Sequence, residues 1–173
     1  MSQFILIVNG PIAGGKTFAI DAIMRENKKV FRVSANKIKF LISDYTPDRD
    51  RALVQESVVI LAGKMLGAGM SLVVEGGSVT QGNLNKEIIK LGEKLGVKVT
   101  TVNVEAPLEV LKSRFVERVE NSKVRGSKLS VKNDEDFMKR YNAYLNIRSE
   151  AEKTFDSSLQ NQDEIAKGIM AIV

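Results

Sequence analysis

Lys16 and Thr17 end the stretch Gly10-Pro11-Ile12-Ala13-Gly14-Gly15-Lys16-Thr17, which fits G-x-x-x-x-G-K-[ST] at every fixed position. This is the spacing of a phosphate-binding loop. Glycines let the backbone curl so that successive N–H groups point inward at phosphate oxygens. A helix that follows adds its unpaired N–H groups and the positive end of its dipole. Lys16 supplies a compact cation for β- and γ-phosphates, and Thr17 a hydroxyl for Mg2+. The expected nucleotide contacts are Gly10, Ala13, Gly14, Gly15, Lys16, Thr17 and Phe18. The competing reading is a glycine-rich turn beside a surface lysine. The context favours the loop: an apolar run precedes it, and Phe18, Ala19, Ala22 and Ile23 follow at helical spacing.

Other residues able to do chemistry lie far away along the chain. Glu75 ends the apolar run from Leu72 and is followed by Gly76-Gly77. Asn36 follows the short run Val30–Ser34. Arg114 and Arg118 share one side of a helix, because residues four apart face the same way. The competing reading, less favoured, is a solvated basic face paired with Glu117 and Glu120. After them, residues 121–133 carry Lys123, Arg125, Lys128 and Lys132 with no acid, which reads as a mobile basic loop. Tyr141 and Tyr144 suit either base stacking or the core, and core packing is the simpler reading.

These residues need elements to hold them. Helices are expected from about Lys16 to Glu26, through Ile38 to Ile42 with Asn36 as its cap, from about Asp50 to Leu66, from Asn83 to Leu95, after Pro107, from Asp134 to Lys153, and from Gln162 on. Pro47 is expected to stop any helix in the loop before Asp50. Strands are expected at Phe4–Val8, Val30–Ser34, Ser71–Glu75, Val97–Val104 and Thr154–Leu159. Apolar strands alternating with helices describe a parallel sheet covered on both faces. Ligands of such sheets sit at the carboxyl ends of the strands. That rule gathers Gly10–Thr17, Ser34–Asn36 and Glu75–Gly77 around one site.

Composition narrows the chemistry. The 173 residues, 43% hydrophobic and 27% charged, suit one globular domain. Without cysteine or histidine there is no disulfide, thiolate metal site or catalytic histidine. Any general base is a carboxylate, a lysine, a tyrosine or the substrate itself. A net charge of +5 suits a polyanionic ligand. Val58 to Val74 is too interrupted by Lys64, Gly67 and Gly69 to span a bilayer, and the N-terminus lacks the look of a signal peptide. A soluble cytoplasmic protein is expected.

With these pieces placed, the chain resembles the P-loop kinases, in particular the branch of polynucleotide 5′-kinases and zeta-toxin-like kinases. In that branch the second strand ends in a segment like V-S-x-D-x-x-R. Here the segment is Val33-Ser34-Ala35-Asn36-Lys37-Ile38-Lys39, with Asn36 at the aspartate and Lys39 at the arginine. The family aspartate takes the proton of the attacking hydroxyl; an asparagine amide orients a hydroxyl but cannot take its proton at neutral pH. Either another carboxylate serves, Asp44 and Glu75 being nearest by segment, or transfer is slow or needs no base. The resemblance implies that Glu75 holds a Mg2+-bound water, that Arg114 lies over the adenine, and that Arg118, with Arg125 or Lys128, reaches the transferring phosphoryl group.

The expectation is therefore a single domain, residues 1–173, with a three-layer α/β P-loop NTPase fold. It should hold about five parallel strands, helices on both faces, and a lid at about residues 118–133. ATP and Mg2+ are the implied cofactors. The implied activity moves the γ-phosphate to a hydroxyl of a nucleic acid 5′ end, a nucleotide or a nucleotide-sugar. The alternatives are a small-metabolite kinase and a nucleotide-binding module without transfer.

Overall fold

A computed structural model of the chain describes residues 2–76, 82–125, 129, 131–148 and 151–173. Its strands are β1 (Phe4–Asn9), β2 (Val30–Val33), β3 (Ser71–Glu75), β4 (Lys98–Glu105) and β5 (Lys153–Asp156). Its helices are α1 (Lys16–Glu26), α2 (Ala35–Lys39), α3 (Pro47–Gly67), α4 (Gly82–Leu95), α5 (Leu108–Arg125), α6 (Asp134–Ile147) and α7 (Gln162–Met170). The strands form one sheet in the order β2-β3-β1-β4-β5, and every pairing is parallel.

Ile5, Leu6, Ile7 and Val8 are all fully buried, as a central strand covered on both faces requires. Alternate side chains serve opposite layers. Phe4, Leu6, Val8, Val73, Val102 and Val104 pack with Ala19, Ile20 and Ile23 of α1 and Ile165 and Ile169 of α7. Ile5, Ile7, Leu72 and Val74 pack with Val58, Ala62 and Leu66 of α3 and Leu84 and Ile88 of α4. The result is the expected three-layer α/β arrangement with five parallel strands. A third cluster, Leu111, Phe115, Val131 and Phe137, joins α5 to α6 and packs on Ile12 and Ala13 of the β1–α1 loop. The Phe115 and Phe137 rings stack with centroids 4.8 Å apart.

Several boundaries differ from the expectations. Pro47 begins α3 rather than blocking a helix. A proline at the first helical position lacks only an N–H that would have no helical partner anyway. The Asp50 carboxylate takes up the Thr46 N–H at 2.8 Å and secures that start. Ser34 precedes α2 as its cap residue, so Asn36 lies inside the helix and its carbonyl accepts from Phe40 N–H at 3.3 Å. Helix α5 carries on through the expected loop as far as Arg125, and α6 ends at Ile147. The α7 start is as expected: Asn161 and Glu164 form a reciprocal cap there.

Candidate active site

The carboxyl ends of β1 and β3 meet the first turn of α1. Val8 and Glu75 are register partners, so the β1–α1 loop and the acidic end of β3 lie side by side. Gly10 has φ 148°, and a Cβ there would sit 2.0 Å from the Val104 carbonyl oxygen. Gly15 has φ 88°, in the left-handed region, and immediately precedes α1. Among the described residues no side chain caps that helix, so its leading N–H groups remain available to an anion. Ala13 is also left-handed, at φ 61°. Such a conformation costs a non-glycine residue on the order of 1 kcal/mol and recurs at ligand-binding loops.

Lys16 is half-buried, and its ammonium donates to the carbonyls of Gly10 at 2.9 Å and Pro11 at 2.6 Å. Burial lowers its pKa to about 8, the Glu75 charge opposing this and the Arg118 charge adding to it. Arg118, exposed on α5, therefore acts electrostatically on the loop. Thr17 Oγ1 donates to Glu75 Oε1 at 2.9 Å. A hydroxyl and a carboxylate form a hard oxygen pair that suits Mg2+, which needs few protein ligands because nucleotide phosphates and water supply the rest. No group of three or more acidic residues fit to hold a metal occurs among the described residues.

The sequence reading missed Arg32. Its Nη2 donates to Glu75 Oε2 at 2.8 Å and its Nη1 to Asp21 Oδ1 at 2.6 Å. Burial works to raise the Glu75 pKa. The bonds and charge of Arg32, the Thr17 hydroxyl and the Lys16 charge outweigh it, and the carboxyl lies below its ordinary range. That makes Glu75 a poor proton acceptor and a good partner for a cation. The available signal was a lone arginine within the buried strand Val30–Val33, since a buried charge has to find a partner.

Arg114 reaches across to the end of β5, donating to Ser157 Oγ at 2.8 Å and to its carbonyl at 2.7 Å. Ser157 borders Gly15, whose hypothetical Cβ would lie 3.1 Å from the Ser157 Cβ. Arg114 thus stands beside the loop. Phe18 is 65% exposed on the first turn of α1. Tyr144 is buried and donates to Glu105 Oε1 at 2.5 Å, so it belongs to the core rather than to a stacking platform. The Arg125 side chain and Lys128 lie outside the described residues.

On the far side of β3, Asn36 is exposed. Ser34 beside it is buried, and its hydroxyl has no hydrogen-bond partner among the described residues. The Lys39 ammonium has its pKa drawn down by burial and then by Arg140 of α6, so the two cations share this flank. Asp44 is largely exposed, 3.5 Å from Arg49. Asp50 is occupied by Arg49 and by the Thr46 N–H.

An AAA-domain family profile matches residues 5–143. No curated protein matches the chain by sequence. Among solved structures, a putative kinase from Chloroflexus aurantiacus is 16% identical with a TM-score of 0.73, and the match covers 100% of both chains. The Mycobacterium tuberculosis APS kinase CysC in complex with AMPPNP and APS is 11% identical with a TM-score of 0.66, covering 99% of this chain and 97% of that one. A chain of the Pnkp1/Rnl/Hen1 RNA repair complex is 14% identical with a TM-score of 0.67, covering 85% of this chain and 45% of that one. At these identities the likeness is one of fold.

Proposed function

The chain belongs to the AAA-domain family, and from that premise we propose that it is an ATP- and Mg2+-dependent phosphotransferase. It moves the γ-phosphate to a hydroxyl of a nucleic acid 5′ end, a nucleotide or a nucleotide-sugar. The observation that carries this reading is the loop itself: a half-buried Lys16 whose ammonium is held by two loop carbonyls, an α1 start led by Gly15, and Thr17 2.9 Å from Glu75. The kinase and RNA-repair neighbours, which share the fold, support it.

In this mechanism Gly10, Ala13, Gly14, Gly15, Thr17 and Phe18 shape the main chain that surrounds the phosphates. Lys16 leaves the carbonyls of Gly10 and Pro11 for the phosphate oxygens, exchanging neutral acceptors for charged ones. Thr17 and Glu75 would hold the metal, which would supply charge neutralisation at the phosphates. Arg114 flanks the nucleoside. Arg118 and Arg125 close from α5 onto the transferring group, within a lid at about residues 118–133 of a single domain. The acceptor oxygen bonds to the γ-phosphorus as the bond to the β–γ bridging oxygen breaks, and ADP leaves. Asn36 orients the acceptor hydroxyl, whose proton passes to solvent or to a nearby carboxylate. The buried, unpartnered Ser34 hydroxyl beside it supports an acceptor on that flank.

A second reading, a nucleotide-binding module without transfer, is favoured by Asn36 standing where a carboxylate would serve as base. A cytoplasmic location is part of this proposal; among the described residues no helix is long and apolar enough to cross a membrane. Transfer of label from γ-32P-ATP to a panel of 5′-hydroxyl oligonucleotides, nucleotides and sugars distinguishes them. Labelling of one class is expected. ATP binding without labelling of any class would leave the binding module.

A further inference from the structure

We propose that Arg32 is a positioning residue for the metal side of the site, fixing the Glu75 carboxylate beside Thr17 so that metal and nucleotide bind together. This rests on the phosphotransferase reading and adds to it a residue that touches neither nucleotide nor acceptor. Arg32 lies on β2, the edge strand beside β3, and its register partner is Val73. Val73 faces the α1 layer, and so does Glu75, two residues further along the same strand. The arginine side chain is 10% exposed and that of Glu75 14%.

The two Glu75 oxygens are divided between two partners. Oε1 accepts from Thr17 and Oε2 from Arg32. The other arm of the guanidinium ends on Asp21, four residues after Thr17 on the same face of α1. Hydroxyl, carboxylate, guanidinium and carboxylate thus form one continuous chain tying the first turns of α1 to the ends of β2 and β3. The arrangement is costly. Arg32 Nε is buried with no partner among the described residues, and a partly buried ion pair is weak support for stability compared with apolar packing. What the arginine does supply is a fixed carboxylate orientation and a counter-charge to Glu75. Groups that orient a metal-side ligand in this way typically control metal affinity by roughly 10–100-fold.

Calorimetric titration of ATP, in excess Mg2+ and separately in EDTA, tests the role with wild-type protein, Arg32→Gln, Arg32→Lys and Asp21→Asn. Arg32→Gln should weaken Mg2+-ATP binding by roughly 10–100-fold while leaving metal-free ATP affinity within about threefold. Arg32→Lys should recover part of the loss, because an ammonium can still hold one carboxylate. Asp21→Asn should lose only a few-fold, since Asp21 is exposed and acts through the arginine. Thermal melting of each variant identifies any that does not fold, and the Lys and Asn variants then decide. Equal weakening with and without Mg2+, or none in either, overturns the role of Arg32. A wild-type protein that gains nothing from Mg2+ overturns the phosphotransferase reading itself.

Discussion

The two flanks of the carboxyl-edge site are built in opposite ways. On the nucleotide flank polar side chains are held by hydrogen bonds: Lys16 on two carbonyls, Thr17 and Arg32 on Glu75, Arg114 on Ser157. Its glycines are packed so tightly that a methyl group at Gly10 would meet a carbonyl at 2.0 Å. On the opposite flank Asn36, Phe40 and Leu41 are exposed, and Lys39 is set against another cation. A phosphate tail is the same in every triphosphate, so one preorganised cradle serves any acceptor. Under the proposed function the acceptor is what varies, and the flank assigned to it there exposes Asn36, Phe40 and Leu41.

The largest expected effect on this contrast is at Gly10. Gly10→Ala forces a Cβ into the Val104 carbonyl at a positive φ, so stability should fall by about 3 kcal/mol or more and ATP binding should vanish. Denaturant titration and calorimetry read both. Phe137→Ala should cost about 3 kcal/mol. It empties the cluster that seats α5 and α6 on Ile12 and Ala13, and ATP affinity should weaken with it although Phe137 is no part of the loop.

A third test uses pH. The unfolded chain keeps its Lys16 proton up to about 10.5, whereas the folded protein releases it near 8. Between those values the unfolded state binds more protons, so the ligand-free protein gains stability as pH rises, by up to about 3 kcal/mol from this group. Chemical unfolding from pH 7.5 to 10.5 should show that gain in wild-type protein and lose it in Lys16→Met.

The smallest effect belongs to the exposed flank. Asn36→Asp should change stability by less than about 0.5 kcal/mol and leave ATP affinity alone, yet raise transfer at least about tenfold by supplying a base. An unchanged rate in a γ-phosphate transfer assay would put the base elsewhere, with Asp44 the next residue to replace.

How much the amino-acid order disclosed follows the same division. The loop, Glu75 and the alternating apolar strands are local patterns whose spacing is set by backbone geometry, and they were readable. Helical spacing put Arg114 and Arg118 on one side of α5, but the Arg114 contact with Ser157 was not readable, because Ser157 follows β5. Arg32 was not, because its partners Asp21 and Glu75 come from other elements and only the strand order brings them together. Pro47 misled because a proline that ends one helix and a proline that starts the next look alike until the Asp50 contact with Thr46 is seen. The flank around Asn36 stays hard to read because exposed side chains carry no burial pattern.

The claim beneath all of this is that the β1–α1 loop grips a nucleotide tail through Lys16. Titrating ATP into wild-type and Lys16→Ala protein by calorimetry tests it directly. Removing a charge-assisted bond worth about 1.5–3 kcal/mol should weaken binding roughly 10–100-fold. Equal affinity in the two proteins would contradict the account.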